Sequence, residues 1–88
     1  MNEQMICENN ILEYNFKYYL IEPLNNIDEK YGIKIDKYDV NRKLIDSKCI
    51  PSIFDSKEKM IKAIRILNKL QVTPITLEDV IIDNIYSR

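Results

Sequence analysis

Histidine is absent from this chain, and glycine occurs once, as Gly32. Imidazole is the side chain whose ordinary pKa lies near neutrality, so its absence removes the usual general base, proton shuttle and metal ligand. A single glycine cannot build the loop that folds backbone amides around a phosphate. The two cysteines, Cys7 and Cys49, form no CxxC pair and have no histidine to complete a zinc site. No run approaches the ~18 consecutive apolar residues that a membrane-spanning helix needs. The chain does not open on a basic stretch followed by an apolar run, so no signal peptide is expected. There is also no basic excess: the formal net charge is -1, against the clear positive balance usual in non-specific nucleic-acid binders. These absences lead us to expect a cytoplasmic, non-membrane protein without cofactor or metal. In that compartment its thiols stay reduced and inert. A redox pair would require the two sulfurs to meet in the fold.

What is present is a globular composition. The 88 residues are 45% hydrophobic and 31% charged, well away from a disordered profile. That length makes a single domain, 1–88, burying somewhat over ~60% of its unfolded surface. The small net charge hides an asymmetry. Residues 1–56 carry -3, residues 57–69 carry +4 and the last nineteen carry -2.

Residues 1–11 are weakly patterned and are expected either to fray or to add a short edge strand. From Tyr14 to Glu22, Phe16, Tyr18 and Leu20 alternate with Lys17, Tyr19 and Ile21. This period of two predicts a strand, which Pro23 ends. A turn-rich link at 24–29 follows. Tyr31, Ile33 and Ile35 then alternate with Gly32, Lys34 and Asp36, giving a second strand. Its interior glycine marks a bulge or a close backbone approach. A turn at 38–41 leads to a third strand from about Lys43 to Ile50, closed by Pro51.

The C-terminal third has helical spacing. Asp55 and Glu58 stand as a capping box, and Met60, Ile61, Ile64, Leu67 and Leu70 make an apolar stripe over about 56–70. After a link at 71–74, Thr76 is placed to cap a second helix, with Ile75 and Val80 as a hydrophobic staple and Glu78 and Asp79 in its first turn. Leu77, Val80, Ile81 and Ile85 form its buried stripe. The expected fold is α+β: a three-stranded antiparallel meander followed by two C-terminal helices packed on one sheet face.

The run Tyr18-Tyr19-Leu20-Ile21, then Tyr31-Gly32-Ile33, then Val72-Thr73-Pro74-Ile75-Thr76-Leu77-Glu78-Asp79-Val80 with Asp83 beyond it, resembles a family of short proteins of clostridial and related Firmicutes. That family is a domain of unknown function. The resemblance therefore implies an intracellular bacterial protein and no particular activity. It does not make Asp79 or Asp83 catalytic.

Three groups of residues compete as sites. Lys62, Arg65 and Lys69 follow at helical spacing and share a face opposite Ile64 and Leu67. Such a face steers an acidic partner, although a charge run is more often an ordinary solvated surface. Tyr19 and Ile21 fall on the sheet face away from the helices, where they are placed to meet a protein partner or a second copy of the chain. Asp79 and Asp83 stand four apart, but no further oxygen ligands accompany them, so capping and solvation account for them. Ser47, Ser52 and Ser56 have no histidine base, and no catalytic residue is assigned. The expectation is a small non-enzymatic, regulatory or interaction protein that docks on another protein, with homodimerisation as one form of this. A nucleic-acid-associated regulator using Lys62, Arg65 and Lys69 is the alternative. It ranks second because no aromatic residue interleaves with the stripe to stack on bases. A small-molecule sensor with a pocket between sheet and helices ranks third.

Overall fold

Strand alternation and helical periodicity together sort the chain into a sheet with one covered face. A computed structural model describes residues 2–23 and 30–81. The elements run β1 (Asn2–Ile11), β2 (Tyr14–Glu22), β3 (Tyr31–Tyr38), β4 (Leu44–Phe54), α1 (Lys57–Lys69) and α2 (Pro74–Ile81). The four strands form an antiparallel sheet in the order β1-β2-β3-β4. The fold is α+β as expected, but the sheet has four strands and not three. The link at 24–29, and Asp83, Ile85, Tyr86 and Arg88, lie outside the described residues.

The extra strand is β1, a ten-residue element where fraying or a short edge strand was expected. As an edge strand it is largely exposed, and a register shift between Met5 and Cys7 breaks its alternation. A bulge of this kind moves side chains to the other face and erases the period-two signal. The expected end of the third strand at Pro51 is also corrected, because β4 continues to Phe54. Pro51 is tolerated because β4 is an edge strand and the ladder shifts register there, between Tyr31 and Ile33 of β3. The same shift explains Gly32. A Cβ at that position would come within 2.2 Å of the Ile50 carbonyl oxygen and 2.5 Å of the Pro51 backbone.

On the covered face, Tyr18 stands opposite Ile35, Leu20 opposite Ile33, and Ile33 in turn opposite Ile50. Met60, Ile64 and Leu67 of α1 and Leu77 and Ile81 of α2 close over them to form one core. Each large aliphatic side chain buried there contributes roughly 1.5–3 kcal/mol. The buried Tyr18 keeps its hydroxyl satisfied by donating to the Val72 carbonyl at 2.6 Å, which ties the sheet to the link between the helices. Asn9 of β1 donates to the Asn68 side-chain oxygen, fastening the edge strand to the end of α1.

Both helix starts differ from expectation, α1 by one residue and α2 by three. The cap of α1 is Ser56, whose Oγ accepts from the Lys59 amide, and not Asp55. α2 begins at Pro74, so Thr76 lies inside the first turn and not at the cap. Its Oγ1 accepts from the Thr73 amide at 3.1 Å, returning a bond to the residue before the helix. Proline suits a first helical position because its missing N–H has no intrahelical partner there. With the helix starting earlier, Glu78 and Asp79 fall in the second turn, and Ile75 is exposed and not part of a staple. Leu70, expected in the buried stripe of α1, is instead its exposed C-terminal cap. Gln71 then turns the chain at a φ of 57°.

Candidate docking surface

The amphipathic pattern of α1 turns Met60, Ile64 and Leu67 inward, which forces the intervening positions out. Lys62, Arg65 and Lys69 are all exposed. No carboxylate among the described residues lies within ion-pairing distance of any of the three, whereas Lys57, nearer the start of the helix, faces Glu22 at 3.7 Å. Two apolar residues emerge beside the stripe: Ile66, 57% exposed, and Leu70, 64% exposed. Ile66 lies four residues beyond Lys62, and Leu70 four beyond Ile66, so both border the same solvent-facing surface. Periodicity alone missed them. Ile66 belongs to an apolar run, and only packing shows which member of that run is left outside.

The face of the sheet away from the helices has a different character. Cross-strand partners put Lys17 opposite Asp36, Tyr19 opposite Lys34, and Ile21 opposite Gly32. Asp36 is only 4% exposed. It accepts from Ser47 Oγ at 2.5 Å and from the Tyr38 hydroxyl at 3.3 Å, and pairs with Lys34 at 3.5 Å. Lys34 also reaches Glu3 on β1 at 2.7 Å and sits over the Tyr19 ring, 4.7 Å from its centroid. Lys17 covers the Tyr38 ring in the same way at 5.0 Å. Burial by itself would lower the Lys34 pKa, but Glu3 and Asp36 outweigh it and leave the ammonium above its ordinary value. Burial, with the neighbouring Tyr19 hydroxyl and Asp36 carboxylate, pushes Tyr38 up to about 12.

These contacts revise the sheet face as a docking surface. Ile21 is 1% exposed, so its side chain is not available to a partner. Tyr19 is half-buried and already packed under Lys34. The Asp36 cluster went unrecognised in the sequence because each member stands on a different strand, and only register brings them together. A groove of about 610 Å3 lies at the hairpin-turn end of this face, between Glu8, Lys17, Tyr38 and Arg42, among others. It is not between sheet and helices, where the third-ranked small-molecule reading placed a pocket.

The two thiols stand apart. Cys7 is on the edge strand β1, opposite the core residue Tyr18. Cys49 is on the other edge strand, β4, opposite Lys34 of the open face. Both are free, and burial raises both thiol pKa values, with Arg65 and Lys34 respectively opposing the rise. A raised pKa disfavours the reactive thiolate. Among the described residues, no three histidine, cysteine, aspartate or glutamate side chains come together as a metal site, and no helix is long and apolar enough to cross a membrane.

The chain belongs to the DUF6514 family, a family of unknown function, whose family model matches residues 1–87. No curated protein and no solved structure matches the chain.

Proposed function

We propose that this DUF6514 protein is a non-enzymatic docking module whose α1 surface binds an acidic protein partner, in the cytoplasm of a bacterial cell of the clostridial group. The observation that carries the reading is the exposed row of Lys62, Arg65 and Lys69, unpaired among the described residues and bordered by exposed Ile66 and Leu70. Positive charge accelerates encounter with an acidic surface, and a central apolar contact slows dissociation. The open sheet face is the weaker candidate because its charges already satisfy one another. Unpaired thiols on separate edge strands are in keeping with a reducing compartment. Nucleic acid ranks second as a partner, since Ile66 and Leu70, and no aromatic side chain, accompany the stripe on the described part of α1.

The test is affinity capture from nuclease-treated lysate, followed by titration of the purified partner. Wild type is compared with the Lys62→Glu/Arg65→Glu/Lys69→Glu triple variant and with Ile66→Ser. The triple variant is expected to lose binding, and wild-type affinity to fall with salt. Ile66→Ser is expected to speed dissociation while leaving the salt dependence in place. Equal binding by wild type and the triple variant would exclude the α1 surface. Capture abolished by nuclease would transfer the surface to nucleic acid.

A further inference from the structure

We infer that the outer edge of β4 is a self-complementary dimerisation strand, pairing antiparallel with β4 of a second copy about a two-fold axis at Ser47. Three observations lead there. The first is an open edge. β4 ends the sheet, and among the described residues no strand pairs with its outer side. The Ser47 amide donates to the Asp46 side-chain oxygen at 2.9 Å, which turns it to the outer side of the strand. Backbone groups of successive strand residues point to opposite sides. With the Ser47 amide turned outward, that of Cys49 turns outward too, while those of Asp46, Lys48 and Ile50 face β3; the alternation holds as far as the register shift at Ile45.

The second observation is the sequence of that edge. Residues 44–50 read Leu-Ile-Asp-Ser-Lys-Cys-Ile. Laid antiparallel on itself with Ser47 on the axis, the strand sets Asp46 opposite Lys48, and beyond the register shift at Ile45 the apolar Leu44 and Ile45 fall toward Cys49 and Ile50. Opposite charges meet across the axis, and the Asp46–Lys48 pair forms twice by symmetry. Opposite charges directly across an antiparallel pair stabilise it, and like charges oppose it. A two-fold interface requires this kind of self-complementarity.

The third observation is exposure. Leu44 is 49% exposed and Ile45 is 45% exposed, an apolar pair on an edge where charged or broken sequence is the usual protection. The opposite edge has that protection: β1 carries Glu3 and Glu8 and a register shift after Met5. On β4 the ladder to β3 shifts between Asp46 and Leu44 and again beyond Ile50, so 46–50 is the regular stretch and the exposed Leu44 and Ile45 lie just outside it. The axis stands perpendicular to the sheet, so pairing would continue one sheet across both copies and leave their helices on the same side. The inference is independent of the α1 docking surface, since the paired edge does not include it.

The experiment is sedimentation analysis over a concentration series for wild type, Asp46→Lys, Lys48→Asp and an equal mixture of the two variants. Wild type is expected to dimerise. Each single variant sets like charges across the axis and is expected to weaken dimerisation at least tenfold. The mixture restores Lys opposite Asp at both pairs and is expected to form a heterodimer. That arm distinguishes lost pairing from lost folding, which matters because Lys48 also meets Glu78 at 3.1 Å. Ile45→Lys, at an exposed position, is a further variant expected to remain folded and monomeric. A wild type that stays monomeric throughout would overturn the inference. So would dimers that survive both single variants, or a mixture no more associated than its folded components.

Discussion

The two faces of this sheet are built from the same strands, one residue apart, and are held by different forces. On the covered face Leu20, Ile33 and Ile35 are shut away under Met60, Ile64 and Leu77. On the open face the residues between them form a chain of charges and hydroxyls running from Glu3 through Lys34 and Asp36 to Ser47. That chain crosses from β1 to β4, so it joins the same strands that the core joins. Burial is non-directional and has no charge to be screened, whereas bonding of this kind depends on geometry, pH and partner. The difference teaches that the open face is structural as well as polar: a carboxyl group as buried as Asp36 would be costly without its partners.

The largest effects should come from the covered face. Ile35→Ala removes aliphatic volume from a fully buried site and is expected to cost about 2–5 kcal/mol in denaturant unfolding, with little change between low and high salt. Gly32→Ala comes next and tests the backbone crossing between the faces. Its added methyl meets backbone atoms of Ile50 and Pro51 and not a yielding side chain. A loss of roughly 1–3 kcal/mol is expected, as for other overpacked sites. A neutral Gly32→Ala would mean that the bulge at Pro51 relaxes readily.

The open face should respond less to truncation and more to solution conditions. Asp36→Ala leaves Ser47 and Tyr38 without their acceptor and Lys34 without one of its two carboxylates. A loss of about 1–3 kcal/mol is expected on that ground, shrinking the gap between wild type and variant as salt rises. The pH dependence has a definite sign. Tyr38 keeps its proton to about 12 in the folded chain, against an ordinary value of 10.0. Between those values the folded state binds more protons than the unfolded one, so stability is level below pH 10 and falls as pH rises through 12. The raised Lys34 acts in the same direction, its contribution present below its ordinary pKa and lost above the folded one. Tyr38→Phe should therefore flatten the alkaline limb of a stability–pH curve. An unchanged limb would remove Tyr38 as its cause.

Much of this architecture was legible in the chain, and the exceptions have physical reasons. Period-two alternation located β2 to the residue, and helical spacing located α1 within a residue at each end and the start of α2 within three, because these elements bury a continuous stripe. Gly32 pointed to a close backbone approach, and the approach of Pro51 is its cause. β1 was obscure because an exposed, bulged edge strand has no stripe to bury. Ile21 misled for the converse reason: alternation assigns a face but does not say whether that face is covered at a given point, and Ile21 is buried. The Asp36 cluster needed register, which no single segment contains. Of the proposed site, the Lys62, Arg65 and Lys69 stripe could be read from spacing, whereas exposed Ile66 and Leu70 required the packed structure.

The smallest expected effect separates a surface kept for folding from one free for docking. Lys62, Arg65 and Lys69 project from α1 without an ion-pair partner among the described residues, and only Lys69, in the last turn, has a helix end to interact with. Changing all three to alanine should alter stability by no more than about 0.5 kcal/mol, the range for surface positions away from special features. Alanine is also a strong helix former, so helix propensity adds no penalty. Thermal unfolding of the triple variant checks this directly. An unchanged transition means that these cations can be varied freely in binding experiments, and that any lost interaction is a loss of contact. A transition lowered well beyond that range would show instead that the stripe holds the fold, and the comparison would then have three structural surfaces in place of two.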